Sequence, residues 1–271
     1  MPAAIHPLAA LPLGPVDRSC WTAIIPAAGR GSRLGSDQPK ILYPILGRPI
    51  LSWLLDALAP VCGASVLVLS PAGRAAVGPV AQSLGAPLEI VIQEHPTGMA
   101  DAVQRARAAT RTDFVLVVWG DQVTLRTETI QACAALHQRR PNATLTLATV
   151  MKPNPYIDVE RDAAGRIIRV RQAREGEIDR AVGENDCGLF LFTAATLFSV
   201  LERAAAGARG ERTGETNLLQ MLPAFERGPG SVATVRLADP DETLGVNTAE
   251  EAAAAAAILA RRASASAAAR G

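Results

Sequence analysis

Four short apolar runs, at residues 22–26, 64–70, 88–93 and 114–119 (TAIIP, ASVLVLS, LEIVIQ, FVLVVW), lack the polar alternation of a half-solvated strand. Strands of that kind must be covered on both faces, as in the parallel sheets of α/β proteins. Helical segments separate them. Residues 49–61 open on Pro49 and space Ile50, Leu51, Leu54, Leu55 and Leu58 along one face. Residues 74–84 and 98–109 are Ala-rich and helical in character. The β-α-β-α-β-α-β succession predicts an α/β fold, a parallel sheet flanked by helices on both sides. The second half predicts a helix over 127–139 and a strand over 143–151. A hairpin over 159–161 and 166–171 turns at Asp162–Gly165, and a further strand covers 187–192. Helices at 194–206 and 215–225, a strand at 231–237 and an Ala-rich helix from Ala249, capped by Thr248, complete a mixed, mainly parallel, Rossmann-like sheet.

With 271 residues, 49% of them hydrophobic, the chain can bury one large core. A formal net charge of +1 leaves no basic field for nucleic acid, so any phosphate binding must be local. The four cysteines, Cys20, Cys62, Cys133 and Cys187, are far apart and form no CxxC pair, which favours buried thiols in a reducing compartment. No apolar run reaches membrane-spanning length. The expectation is a cytoplasmic protein with no membrane or nucleic-acid partner. Residues 1–19, rich in Pro and Ala and without periodicity, are expected to be a disordered leader; 20–262 the domain; and 263–271 a frayed tail. No internal repeat is visible, and in particular no hexapeptide β-helix pattern.

The chemistry concentrates after the strands. The run at 22–26 breaks into a loop with Gly29, Gly31 and Gly35, the cations Arg30 and Arg33, and then Pro39-Lys40. Glycines let a backbone approach a ligand, free N–H groups form an anion-binding concavity, and cations add charge-assisted bonds to phosphate. The spacing is neither a Walker A loop nor a full GxGxxG. Asp121 follows Gly120 directly after an apolar strand, at the carboxyl edge where such sheets bind ligands. A carboxylate placed there is expected to hold Mg²⁺ facing nucleotide phosphates. Asn247, after a strand and turn, offers a neutral oxygen to the same metal. Gln93 offers a donor and an acceptor to a base edge, and Thr97 and Gly98 offer N–H groups and a hydroxyl. Gln172 and Asp186 are polar groups beside apolar strands in the half expected to cover the site.

These motifs resemble one family. PAAGRGSRLGSDQPKILYPILGRPIL is similar to the signature of the sugar-nucleotide pyrophosphorylases, the nucleoside triphosphate:sugar-1-phosphate nucleotidyltransferases. Within them the chain is most similar to the uridylyltransferase domain of the bacterial N-acetylglucosamine-1-phosphate enzyme. QEHPTGMADAV, VVWGDQV, ENDCGLF, GETNLLQ and GVNTAEEA follow in the family's order, and the resemblance covers about residues 21–260. It implies the nucleotide-diphospho-sugar transferase fold, Mg²⁺ as cofactor, and a nucleoside triphosphate, UTP foremost, with a sugar-1-phosphate as substrates. It implies that the backbone of Ala27, Ala28 and Gly29 holds base and ribose, and that Arg33 and Lys40 handle the reacting phosphates. Gln93 and Thr97 contact the base, and Asp121 and Asn247 hold the metal. The chain departs from the pattern at Pro96, where the family has Gly, and at Trp119, where it has Tyr. Gln172 stands for a sugar-binding Glu and Asp186 for an Asn. Pro96 removes a base contact through its amide and the other departures alter the sugar pocket; together they keep open cytidylyl or guanylyl transfer to a cyclitol phosphate, a phosphonate or molybdopterin, and a non-catalytic nucleotide-binding role is the second alternative.

Overall fold

The computed structural model describes residues 4–29, 32–35, 38–95, 97–204 and 214–268. In chain order the strands and helices are β1 (Ala4–Pro7), β2 (Trp21–Pro26), the hairpin β3 (Pro44–Ile45) and β4 (Arg48–Pro49), α1 (Ile50–Leu58), β5 (Ala64–Leu69) and α2 (Pro71–Ser83). There follow β6 (Leu88–Ile92), α3 (Met99–Arg105), β7 (Phe114–Val118), α4 (Thr127–Gln138), β8 (Leu145–Pro153), β9 (Ile157–Arg161) and β10 (Ile167–Gln172). The chain ends with β11 (Val182–Thr193), α5 (Ala194–Ala204), β12 (Val232–Leu237) and α6 (Ala249–Ala268). Eight strands form one sheet in the order β1-β12-β8-β11-β7-β2-β5-β6.

β2, β5, β6 and β7 pair in parallel, as expected, but only β2, β5 and β7 are largely buried; β6, expected to be covered on both faces, is the sheet edge, part-buried with Glu89 exposed, because an edge strand has a neighbour on one side only. Every residue of β2 is buried. Trp21, Ala23 and Ile25 join the core on one face, and Ile24 joins the core on the other. Successive strand residues point to opposite faces, so a strand covered on both sides shows no polar alternation. β11 runs antiparallel between β7 and β8 and makes the sheet mixed. Its register with β8 shifts between Asp186 and Phe190. Such a bulge re-aims side chains, and bulges recur beside functional sites.

Two expectations about the termini are corrected. Residues 4–7, assigned from composition to a disordered leader, form β1 and pair in parallel with the edge of β12. Arg18–Cys20 forms a 3₁₀ turn whose N-cap Asp17 accepts from Ser19 N. An unsatisfied strand edge supplies hydrogen bonds that composition does not reveal. The stretch from 263, expected to fray, continues α6 to Ala268, because a run of alanine has high intrinsic helix propensity. The helix expected over 215–225 is a 3₁₀ segment at Leu219–Phe225 with Pro223 inside it. Proline removes an i→i−4 hydrogen bond and clashes with the preceding turn. Cys62, Cys133 and Cys187 are buried, Cys20 is half-buried, and all four are free thiols. Among the described residues, no helix is long and apolar enough to cross a membrane.

Candidate active site

β2 pairs with β5 on one side and β7 on the other. A crevice opens at the carboxyl ends where strand order divides in this way. Here it is a cavity of about 730 Å³ lined by residues from both halves of the chain. β2 delivers Ala27, whose N–H donates to the Val68 carbonyl (2.8 Å) and holds the loop start on the neighbouring strand. Gly120 lies against the same place. A Cβ on Gly120 would meet the Pro26 carbonyl at 2.9 Å, so the two strand ends approach this closely only because the residue is glycine. A 3₁₀ turn at Ser32–Leu34 buries Leu34 and leaves Arg33 exposed on the cavity wall. Another at Lys40–Leu42 buries Ile41 and carries Lys40 on the cavity wall.

The centre of the site is a three-residue cluster. The Lys40 ammonium donates to Asp121 Oδ2 at 2.6 Å and to Asn247 Oδ1 at 2.9 Å, the second contact joining residues 207 apart in sequence. Asp121 is drawn to the later loop by its own carbonyl, which accepts from Val246 N at 3.0 Å. Asn247 turns its oxygen inward because its Nδ2 donates to the Gly245 carbonyl. The next residues cap α6. Glu251 Oε2 accepts from Asn247 N and Thr248 N, and Thr248 Oγ1 accepts from Glu251 N. This capping box anchors Asn247 at a helix start. A carboxylate oxygen and an amide oxygen therefore converge on one cationic centre. Hard divalent cations prefer oxygen donors of this kind, with waters and substrate phosphates completing the shell. Among the described residues, no group of three or more His, Cys, Asp or Glu could hold a metal. A metal here would rest on one carboxylate, one amide and the substrate.

Asp186 projects from the β11 bulge into the same cavity, with Oδ1 accepting from Gly188 N at 2.7 Å. Burial pushes its carboxyl up to about 6, the Asp121 charge adds to the rise, and Lys152 opposes it. Trp119 packs its ring 5.1 Å from Phe190 and forms part of the wall. Gln172 closes β10, almost fully buried, and also lines the cavity.

The structure thus brings together Ala27, Gly29, Arg33, Lys40, Trp119, Gly120, Asp121, Gln172, Asp186 and Asn247, all expected from sequence. It places others differently. Ala28, Gln93, Thr97 and Gly98 are not among the residues lining the cavity, although Met99, which follows them, is. Gln93, expected to offer both donor and acceptor to a base, is buried with Nε2 donating to the Gly98 carbonyl (3.1 Å) and to Asp101 (2.8 Å). Both its N–H groups hold the loop, which leaves only the oxygen for a ligand. Thr97 pairs its backbone with Thr216. Gly31, with Arg30 and Pro96, lies outside the described residues.

Sequence reasoning missed Gln122, Lys152, Arg174, Glu215 and Asn217, all of which line the cavity. Lys152 was within reach: it stands at the carboxyl end of an apolar strand, as Asp121 does. Arg174 and Glu215 form an ion pair at 3.0 Å between distant loops, for which no local signal exists.

A mainly parallel sheet with paired cations and an oxygen-donor cluster at its carboxyl edge defines a nucleotide-handling α/β transferase domain. The model of the MobA-like NTP transferase domain matches residues 23–222, and the chain belongs to this family of nucleotidyltransferases. It is 35% identical over 237 residues to the bifunctional protein GlmU of Anaeromyxobacter sp. (strain Fw109-5), covering 84% of this chain and 47% of that one. It is 31% identical over 233 residues to GlmU of Heliobacterium modesticaldum, covering 84% and 49%. The chain thus spans about half the length of the curated relatives it matches. The solved structure of the inositol-1-phosphate CTP transferase from T. maritima shares the fold, with a TM-score of 0.62 and 18% identity over 88% of this chain and 92% of that one.

Proposed function

We propose that this chain condenses a nucleoside triphosphate, UTP foremost, with a sugar-1-phosphate to give a nucleotide sugar and pyrophosphate. The observation that carries the reading is the Lys40–Asp121–Asn247 cluster, set in a cavity with Arg33 on its wall. The resemblance of the motifs to a uridylyltransferase domain favours UTP and a sugar-1-phosphate as the pair to test first.

A phosphate oxygen of the sugar phosphate attacks the α-phosphorus of the triphosphate, a P–O bond forms, and the bond to the pyrophosphate oxygen breaks in line. The nucleophile is already an anion, so no strong general base or covalent intermediate is required. The difficulty is to bring anions together, and the work is positioning and charge neutralisation. Arg33 and Lys40 supply positive charge to the phosphates, and Ala27 and Gly29 present backbone to the nucleoside. Asp121 and Asn247 would hold Mg²⁺, which when bound neutralises phosphate oxygens as a Lewis acid.

The test is a matrix of ATP, CTP, GTP and UTP against hexose-1-phosphates, N-acetylhexosamine-1-phosphates and a cyclitol phosphate, with pyrophosphate release as readout. Turnover with UTP and a sugar-1-phosphate, reduced by about 10²–10³ in Arg33→Ala and lost in Asp121→Ala, is the expected result. Near-wild-type turnover in a folded Asp121→Ala protein would overturn the metal assignment. Pyrophosphate release only with CTP and the cyclitol phosphate would overturn the substrate pair.

A further inference from the structure

The cations that line the cavity are not equally committed. The Lys40 ammonium is taken by Asp121 at 2.6 Å, and Arg174 by Glu215 at 3.0 Å. Among the described residues, no carboxylate lies within 4.0 Å of Arg33 or of Lys152. Arg33 has its task at the reacting phosphates, whereas Lys152 has none. Its ammonium makes one long contact, 3.4 Å to Thr243 Oγ1. The Thr243 hydroxyl donates to the Pro240 carbonyl at 2.8 Å, so it can only accept from Lys152. The contact steers the ammonium and leaves two N–H groups for another acceptor. The remaining carboxylates of the wall are engaged elsewhere. Asp186 Oδ1 accepts from Gly188 N, Asp241 pairs with Arg261, and Glu251 Oε2 accepts from Asn247 N and Thr248 N.

Lys152 also stands apart from the wall built by β9 and β10. Side chains alternate along β8, and Ala148, four residues before Lys152, belongs to the core on the face where α6 packs through Ala252 and Ala255. Thr243 ends the 3₁₀ turn Pro240–Thr243, and the next residue, Leu244, packs on the same core. β9 and β10 pack on the other face, through Ile157, Val159, Ile167 and Val170. The cavity therefore reaches over the carboxyl edge of the sheet to both faces. Along that edge β11 lies between β7 and β8. The strand that delivers Asp121 and the strand that delivers Lys152 are thus two strand spacings, about 10 Å, apart. One phosphate seated at Lys40, Asp121 and Asn247 does not span that interval, and a phosphate with a sugar ring attached does.

We propose that Lys152 receives an oxyanion that the acceptor carries in addition to its reacting phosphate, a carboxylate or a second phosphate. The substrate class is thereby narrowed to acidic sugar phosphates. A half-buried ammonium without a counter-charge favours such a group over a neutral hydroxyl, because a charge-assisted hydrogen bond is about twice as strong as a neutral one. In this role Lys152 sets specificity and takes no part in the bond that forms or the bond that breaks. The proposal rests on a sugar-1-phosphate being the acceptor.

The test uses the full chain, the triphosphate that it turns over, and a plain hexose-1-phosphate. The comparison is the same sugar with a second phosphate at C2, C3, C4 or C6, or with a carboxylate at C6. Wild type is expected to show a kcat/KM about tenfold or more higher for one of the acidic acceptors than for the plain one, roughly 1.4 kcal/mol of discrimination. The phosphate and carboxylate arms tell which oxyanion is taken. Lys152→Gln is expected to abolish the preference and Lys152→Arg to keep most of it, thermal unfolding showing that both proteins are folded. A wild-type protein that uses the plain hexose phosphate as well as every acidic one, or better, would overturn the proposal. So would an equal fall for plain and acidic acceptors in Lys152→Gln, which places Lys152 at the reacting phosphate or in the structure alone. A wild-type protein that releases pyrophosphate with no sugar phosphate would instead bring down the acceptor reading on which the proposal stands.

Discussion

Lys40 occupies the place between Asp121 and Asn247 that a divalent cation would take, and removing its charge should therefore strengthen metal binding while weakening catalysis. The ammonium lies 2.6 Å from a carboxylate oxygen, with about one-fifth of each side chain exposed. Partial exposure screens the pair, so its net worth is about 1–2 kcal/mol, above a surface pair and far below the unscreened value. A metal must displace that contact or accept a cation beside it. Lys40→Gln, which keeps polarity without charge, should tighten binding of Mn²⁺ alone by about tenfold or more. The assay is a titration of the protein with Mn²⁺, following the free-ion signal by electron paramagnetic resonance, with Asp121→Ala as the variant that abolishes binding. Turnover of Lys40→Gln should fall by about 10²–10³, because the phosphates lose a cation. Affinity and rate moving in opposite directions distinguish displacement from simple damage. An unchanged or weaker Mn²⁺ affinity in a folded Lys40→Gln protein would refute the argument.

Other perturbations test other parts of the structure. His137 is buried between Thr146 and Thr193 and stacked edge-on against Trp21 and Phe114, and burial, aided by the Arg140 charge, pushes it down to about 3 from 6.5. Between those values only the unfolded chain takes up the proton, so stability is full above pH 6.5 and falls by about 1.4 kcal/mol per pH unit on acidification. Urea midpoints from pH 7 to 4 should show this slope reduced in His137→Gln. Gly98 has φ 125°, and a Cβ there would collide with the Thr216 carbonyl. Gly98→Ala should lower stability by about 2–3 kcal/mol and weaken nucleotide protection against thermal unfolding together, measured by calorimetry. Glu184 is buried with Arg161 at 2.7 Å and Arg236 at 3.1 Å, tying β9 to the sheet. Glu184→Ala should cost about 3–5 kcal/mol, since both guanidiniums lose their carboxylate, and the loss should appear in denaturant unfolding.

Much of this protein was legible because local chemistry and tertiary role coincide. β2, β5 and β7 carry apolar side chains on both faces, and a covered parallel sheet satisfies them. The place of Asp121 in the cavity was readable because a residue directly after such a strand lies at the carboxyl edge of the sheet. Thr248 was readable as a cap because N-capping depends on one side chain and the backbone two or three residues ahead. The tertiary structure decided what depends on partners distant in the chain. β1 exists because β12 leaves an edge. Gln93 turned inward because Gly98 and Asp101 take its donors. The polarity of Gln172 is set by Asn217 and Arg174, held in turn by loops that meet only once the sheet has formed. Periodicity and capping are short-range properties written in neighbouring residues, whereas the direction in which an amide points in a pocket is the outcome of long-range hydrogen bonds that no stretch of sequence contains.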